Sequence, residues 1–168
     1  GNILQLSRLE NQQIMLDKTS YHLDEQLRET VLLFEQQWTE KNIRLDIDLE
    51  SIVYYGSSDL LAQVWQNIFG NAVKFSPESG TIRVILRREP DTVRVSIADN
   101  GPGMSAAVQE RIFEKFYQGD NSRSSDGNGL GLTLAKRIVD LCGGQIAISS
   151  KEGKGTAFHI ILPVTAEA

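Results

Sequence analysis

Two consecutive stretches of alternating apolar and polar residues constrain the fold of this chain more than any other feature. They cover residues 81–89 and 92–99, and Pro90-Asp91 separates them. Such alternation is typical of strands with one buried face, and a break of two turn-forming residues favours a hairpin. The chain therefore contains an antiparallel sheet that other elements must cover on one side.

Helices that are predicted elsewhere in the sequence can cover this sheet. Apolar residues at helical spacing predict three long helices, of which Asp24 caps the first and Ser58 or Asp59 caps the second. The first ends near residue 42, the second at residue 75, and the third covers about 130–142 before the left-handed stop at Gly143. The remaining elements are a strand over 43–49, an apolar stretch over 52–55, a short helix after Ser105 and a last hairpin of 145–150 with 156–163.

Composition excludes several classes of function. The 168 residues suffice for one domain, and 17 basic against 22 acidic residues leave a net charge of −5, so we expect no nucleic-acid partner. A single cysteine cannot form an internal disulfide, and one cysteine with two histidines cannot form a four-ligand zinc site without several carboxylates. No apolar run reaches the roughly 18 residues that span a bilayer.

The second long helix carries an unusual polar face. Asn67, Asn71 and Lys74 stand at positions i, i+4 and i+7, away from the apolar stripe of the same helix. Asparagine is a poor helix former, and its amide oxygen is a neutral, hard ligand that suits Mg²⁺. The alternative for this helix taken alone is a solvated polar surface.

Two glycine-rich segments add to this pattern. Asp99-Asn100-Gly101-Pro102-Gly103 directly follows a strand, and its carboxylate could accept a hydrogen bond from the exocyclic amine of adenine. A plain turn is the favoured interpretation of this segment alone. Residues 127–132 open the third helix, where glycines leave backbone N–H groups available to an anion, although a hinge is the alternative. In this order the three segments are jointly specific.

Residues 118–129 contain no apolar side chain and cannot be buried. A long polar loop inside a compact domain is uncommon unless it acts as a lid or a binding loop. A disordered insertion and a functional lid are both compatible with this composition.

Over about residues 21–164, the sequence resembles the catalytic, ATP-binding domain of sensor histidine kinases, in the GHKL ATPase superfamily. Residues 63–76 match the asparagine box of that family, and residues 99–103 match its first glycine box. In the family, the residue at Asn71 coordinates Mg²⁺, and those at Asn67 and Lys74 face the phosphates. Asp99 would bind the adenine amine beside Gly101 and Gly103.

The remaining family motifs lie in the second half of the chain. Residues 113–117 are similar to the phenylalanine box at the base of an ATP lid, which would extend over about 113–129. Residues 153–156 resemble the final glycine-threonine element. The resemblance implies that ATP or ADP, bound with Mg²⁺, also contacts the following residues: Phe116, Gly127, Gly129, Leu130, Gly131, Leu132 and Thr156.

The resemblance implies a two-layer α/β sandwich in which three helices cover one face of a mixed, five-stranded sheet. Residues 1–20 would be the end of a dimerisation helix and a linker, and residues 21–165 the catalytic domain. The implied reaction is transfer of the γ-phosphoryl group from ATP to a histidine. The parent protein is then a homodimer that acts on a response regulator and can be anchored in the membrane, and the fragment is a monomeric cytoplasmic domain.

The chain departs from the family pattern in two ways. Many members carry arginines at the positions of Lys115 and Gln118, so Lys115 and Arg123 become the candidates for phosphate contacts in the lid. The second departure is that no phosphoacceptor motif of the type His-Glu-x-x-x-Pro is present, which places the acceptor on a separate dimerisation domain. The alternatives are an anti-sigma-type serine kinase and a module that binds nucleotide without transferring it.

Overall fold

The computed structural model describes residues 16–114 and 131–165. Predictions for the segments 1–15, 115–130 and 166–168 lie outside these residues, including most of the dimerisation helix and linker expected over 1–20. The helices and strands are, in chain order, β1 (Thr19–His22), α1 (Leu23–Leu33), α2 (Glu35–Glu40), β2 (Arg44–Leu49), β3 (Val53–Gly56), α3 (Ser58–Phe75), β4 (Thr81–Arg88), β5 (Thr92–Asp99), α4 (Ala106–Arg111), α5 (Gly131–Leu141), β6 (Gln145–Lys151) and β7 (Gly155–Pro163).

The predicted hairpin is present and lies at the centre of a five-stranded sheet with the order β2-β4-β5-β7-β6. Strand β2 runs parallel to β4, and the other neighbours are antiparallel, so the sheet is mixed. A second sheet of two strands pairs β1 with β3, and the sequence analysis did not anticipate this pairing. Two strands of four residues carry too little periodicity to predict a partner.

One face of the large sheet forms the hydrophobic core together with the helices. The alternating apolar residues of β4 and β5 are at most 1% exposed. Buried residues of α1, α3 and α5 pack in the same core, as the resemblance implied. The core-facing residues of the central hairpin are Ile82, Val84, Leu86, Val93, Val95 and Ile97. Within residues 16–114 and 131–165, no helix has both the length and the apolarity needed to cross a membrane.

Several predicted helix ends are confirmed, and others are wrong. The Ser105 hydroxyl caps α4 by accepting from the Val108 amide, and Gly143 has a φ of +76° just beyond α5. Ser57, one residue before the predicted caps, is the N-cap of α3. The first long helix is two helices, since the backbone turns at Phe34, and α2 ends at Glu40. The Phe34 ring packs against Gly70 of α3, a tertiary contact that helical spacing does not report.

Asp24 is not the N-cap of α1, because His22 occupies that position. The Asp24 carboxylate lies inside the first turn, is 4% exposed, and accepts hydrogen bonds from the Ile52 amide at 3.2 Å and from Arg28 at 2.7 Å. Burial alone would raise its pKa, but the hydrogen bonds from Arg28 and Ile52 outweigh burial and lower the pKa below its ordinary value. Asp24 therefore ties α1 to the segment before β3.

Replacement of Asp24 by asparagine should destabilise the domain, because an amide cannot accept both hydrogen bonds. We expect a loss of about 1–3 kcal/mol at neutral pH. A lowered folded-state pKa contributes stability above the ordinary value, and this contribution is lost as the pH falls through the folded-state pKa. Thermal unfolding of both proteins at neutral pH and at about pH 3 tests this. If the melting temperatures of the parent protein and Asp24→Asn differ as much in acid as at neutral pH, the proposed role of the Asp24 carboxylate is contradicted.

Candidate functional site

Helix α3 carries the three polar residues that the sequence analysis selected. Its opposite side is fully apolar, which fixes the rotation of the helix about its axis. Asn67, Asn71 and Lys74 are half-buried, so they lie at the edge of the core rather than on a fully solvated surface. The buried residues that hold α3 in this orientation are Leu60, Leu61, Val64, Trp65, Ile68, Phe69, Ala72 and Val73.

The N-terminus of α5 faces the asparagine side of α3. A Cβ atom added at Gly131 would lie only 3.3 Å from Asn67 Oδ1, which shows how closely the two helices approach. The first N–H groups of a helix lack intrahelical partners and, together with the helix dipole, favour anions. The structure therefore brings the glycine-rich helix start and the asparagine helix together, as two parts of one site.

The end of β5 lies against the last turn of α3. The Gly101 amide donates a hydrogen bond of 2.8 Å to Asp99 Oδ1, which closes a tight turn around the half-buried carboxylate. A Cβ atom at Gly101 would clash with the carbonyl oxygen of Phe75, so this close approach requires glycine. Asp99 is thereby held beside the end of the helix that carries Asn71 and Lys74.

The hairpin of β6 and β7 supports this turn from the other side. Thr156 pairs with Asp99 in the sheet, and its hydroxyl lies 2.9 Å from Ser150 Oγ. Ser150 also accepts from the Met104 amide at 2.8 Å. Gly103 has a φ of +71°, and a Cβ atom there would clash with the carbonyl oxygen of Lys151. Gly103 and Thr156 thus shape the turn, and Ser150, which sequence reasoning missed, links them.

The site combines positively charged groups with one carboxylate. The Lys74 ammonium lies 5.2 Å from the centre of the Phe75 ring, on the side of α3 that also carries Asn71. The N-terminus of α5 adds positive potential near Asn67. Asp99 places a carboxylate at the end of α3, in the turn where Gly101 approaches the Phe75 carbonyl. These groups together suit a ligand that carries both an anionic group and a hydrogen-bond donor.

Six of the predicted site residues lie outside the described part of the chain: Lys115, Phe116, Arg123, Gly127, Gly129 and Leu130. The residues that flank this gap are tied to the fold. Thr133 Oγ1 donates a hydrogen bond of 2.8 Å to the Phe113 carbonyl, and the Phe113 ring packs edge-on against Phe158. Leu132 is half-buried and packs against the core. The predicted lid contacts therefore stay predictions.

Neither histidine takes part in this arrangement. His22 is exposed at the N-cap of α1. His159 lies on β7 between two core-facing residues, and its Nδ1 is 2.8 Å from Ser96 Oγ on the other face of the sheet. Burial, and then the nearby charge of Arg94, lower the pKa of His159. Within the described residues, no group of three or more His, Cys, Asp or Glu side chains could hold a metal ion.

The fold and this site together define a nucleotide-binding α/β domain, and comparison with known proteins identifies its family. The model of the histidine kinase-, DNA gyrase B- and HSP90-like ATPases matches residues 56–166. The chain belongs to this family. The resemblance to the catalytic domain of sensor histidine kinases that the sequence motifs indicated is thereby confirmed.

Individual relatives agree with this assignment. The chain is 37% identical over 166 residues to the adaptive-response sensory kinase SasA of Gloeothece citriformis. The matched region covers 97% of this chain but only 42% of that protein. The structure of full-length ShkA in complex with AMPPNP is similar with a TM-score of 0.85 and 31% identity, over 99% of this chain and 35% of that one.

A structure of the catalytic domain of histidine kinase ThkA covers 89% of this chain and 99% of that domain, with a TM-score of 0.79 and 29% identity. ThkA has also been solved in complex with the response regulator protein TrrA, and that structure matches 97% of this chain at 25% identity with a TM-score of 0.78. The likeness confirms the predicted fold class, a mixed five-stranded sheet with helices.

Proposed function

We propose that this domain binds MgATP and positions the γ-phosphoryl group for transfer to a histidine on a separate dimerisation domain. The observation that carries the proposal is the convergence of three sequence motifs on α3. Gly131 approaches Asn67, and Gly101 approaches the Phe75 carbonyl, so both glycine-rich segments meet the asparagine helix. Residues that lie 26 and 64 positions apart in sequence thereby form one site.

Each end of the nucleotide has a proposed partner. Asp99 accepts a hydrogen bond from the adenine amine, while Gly101 and Gly103 allow the backbone to approach the base. Asn67, Lys74 and the N-terminus of α5 at Gly131 face the phosphates. Leu132 and Thr156 line the site beside these residues. This assignment follows the chemistry of the groups, since an ammonium and a helix N-terminus favour anions and a carboxylate accepts a hydrogen bond from an amine.

Asn71 is the proposed protein ligand of Mg²⁺. The donor set fits this ion, because an amide oxygen is a hard ligand and Mg²⁺ commonly takes few protein ligands and completes its shell with phosphate oxygens and water. The half-buried position of Asn71, one turn from both Asn67 and Lys74, suits an ion shared with a nucleotide. When bound, Mg²⁺ would neutralise phosphate charge.

Catalysis by this domain would consist of positioning and charge neutralisation rather than covalent chemistry. Lys74 and the α5 N-terminus stabilise negative charge on the phosphates, and Asn67 orients them. Lys115 and Arg123 are proposed to contact the phosphates from the lid over about 113–129. Because the carboxylate of Asp99 holds the base, the γ-phosphoryl group would point away from the adenine subsite, where an acceptor can reach it.

The chain spans 42% of the length of its SasA relative, so the partners of the whole protein are part of the proposal. We propose that residues 1–20 end a dimerisation helix and that residues 21–165 form the catalytic domain, monomeric by itself, of a homodimeric parent. A response regulator would receive the phosphoryl group from that parent, as the ThkA–TrrA complex suggests by analogy. The domain would act in the cytoplasm, whether or not the parent is anchored in a membrane.

Calorimetric titration tests the binding step. ATP and ADP should both bind in the presence of Mg²⁺, because the adenine and the first phosphates are common to both. Chelation of Mg²⁺ should weaken ATP binding by roughly tenfold or more, since the phosphates then lose their main counter-charge. Absence of binding would contradict the proposed function, and equal affinity with and without Mg²⁺ would contradict the proposed role of Asn71.

A further inference from the structure

The Lys41 side chain makes three hydrogen bonds to the end of α3, beside the candidate site. Its Nζ donates to the backbone carbonyls of Val73, Lys74 and Ser76, each at 2.9 Å. An ammonium group has three donors, so these three bonds use its full capacity. Lys41 is the C-cap residue of α2 and precedes these carbonyls by more than 30 positions in sequence. No sequence motif indicates its role.

The position of this ammonium has an electrostatic reason. The last carbonyls of a helix have no intrahelical partner and carry the negative end of the helix dipole. Helix α3 ends at Phe75, and the Ser76 amide still donates to the Ala72 carbonyl at 3.0 Å. Lys41 therefore satisfies this helix end from a different element, while the ammonium of Lys74, the basic residue of the last turn, lies over the Phe75 ring.

The backbone of Lys41 also holds the loop that follows α3. The Ser79 amide donates to the Lys41 carbonyl at 2.7 Å, and the Arg44 amide donates to the Gly80 carbonyl at 2.8 Å. On its other side this loop meets the first glycine segment, since the Thr81 amide donates to Asn100 Oδ1 at 2.9 Å. The loop thus connects Lys41 with the residue next to Asp99.

A direct contact completes the connection. The Phe75 carbonyl lies between the carbonyls that Lys41 binds and packs against Gly101, where there is no room for a Cβ atom. The Phe75 carbonyl moves with the end of α3, so a displacement of this helix end toward the turn must also move Gly101. Because Gly101 donates the hydrogen bond that closes the Asp99 turn, the displacement reaches the adenine carboxylate.

We propose that Lys41 is a positioning residue of the nucleotide site, which sets the end of α3 relative to the Asp99 turn without touching the nucleotide. This inference rests on the proposed function. It assigns to Lys41 the task of holding Lys74 at the phosphate side and Asp99 at the adenine side at a constant separation.

The test compares MgATP affinity with stability in Lys41→Met. At a temperature where the variant is fully folded, its MgATP dissociation constant should rise about five- to tenfold, the size expected when the carbonyls lose a charged partner. Lys136→Met makes the same change of charge at an exposed lysine that pairs with Asp140 at 2.6 Å, and its affinity should equal that of the parent protein. Lys41→Arg, which keeps the charge, should recover part of the loss.

Asp24→Asn controls for stability, since it weakens the same α1–α2 region without touching the end of α3. It should lower the melting temperature and leave the dissociation constant unchanged. In the nucleotide-free protein, the NMR amide signals of Asn100 and Gly101 should shift in Lys41→Met and not in Asp24→Asn. Should Lys41→Met not fold, Lys41→Gln, which keeps two donors, takes its place in both measurements.

The outcomes separate this inference from the proposed function. A parent protein that does not bind MgATP would overturn the proposed function itself. A parent that binds, together with a folded Lys41 variant of equal affinity and unchanged Gly101 signal, would overturn only the role of Lys41. A loss of affinity that Asp24→Asn reproduces at equal melting temperature would reduce Lys41 to a structural residue.

Discussion

Mixed with MgATP and the dimerisation domain of its parent protein, this domain is expected to produce a phosphorylated species that is labile to acid and stable to base. Phosphohistidine has these properties and phosphoserine does not. The domain alone is expected to remain unlabelled, because phosphoryl transfer requires a nucleophile held in line within about 3–3.5 Å of the γ-phosphorus. His159 lies on the sheet face opposite the core and is hydrogen-bonded to Ser96, and His22 is the exposed residue that precedes α1.

The rate of this reaction should be lower in the mixture than in the intact parent. A short flexible connection gives an effective concentration of the order of millimolar, which separate domains at lower concentration do not reach. Labelling with γ-phosphate followed by acid and base treatment measures both the rate and the nature of the product.

Asn71→Ala should reduce product formation by at least roughly a hundredfold, because it removes the proposed ligand of the ion that neutralises the transferring group. Gln66→Ala is the matched control, since it truncates an exposed amide side chain on the same helix. It should label at the parental rate. Equal rates for Asn71→Ala and Gln66→Ala would contradict the Mg²⁺ assignment.

Two other results would redirect the functional proposal. An acid-stable product would favour a serine kinase of the same superfamily. Tight ATP binding without any product, from the mixture and from the intact parent, would favour a module that binds nucleotide without transferring it.

Asp99→Asn should weaken MgATP binding by roughly ten- to a hundredfold, which corresponds to about 1–3 kcal/mol for an unpaired buried donor. One oxygen of the carboxylate accepts from the Gly101 amide at 2.8 Å, and an asparagine side chain can keep that bond through its own oxygen. The second oxygen becomes an NH₂ group, which opposes the amine of adenine. The turn is thus preserved while the recognition atom changes from acceptor to donor.

Selectivity distinguishes this effect from a general loss of structure. Guanine carries a carbonyl oxygen where adenine carries the amine, so GTP should bind to Asp99→Asn no more weakly than to the parent protein. Asp91→Asn, an exposed carboxylate in the turn between β4 and β5, should leave both affinities unchanged. Calorimetry of the two nucleotides with each protein measures this, and parallel losses for ATP and GTP would argue against adenine recognition by Asp99.

Much of the fold could be predicted from sequence because its elements have strong local signals. The alternation in β4 and β5 and the Pro90-Asp91 break specify a hairpin whose core residues are at most 1% exposed. The residues of α3 are spaced so that its apolar and polar faces separate, and the predicted end at Phe75 is confirmed. The asparagine motif and the two glycine motifs, in this order, indicate a family that the family model confirms.

The sequence alone determined most of the helices and strands, the buried faces of α3, β4 and β5, and the family, because periodicity and motif spacing are local properties of the chain. Only the tertiary structure decided which parts meet. The pairing of β1 with β3, the hydrogen bonds of Asp24, the link through Ser150 and the three bonds of Lys41 depend on contacts between distant segments. Such contacts produce no periodic pattern in the sequence. A single polar residue is predicted to lie on the surface, because its partners come from segments that only the fold brings together.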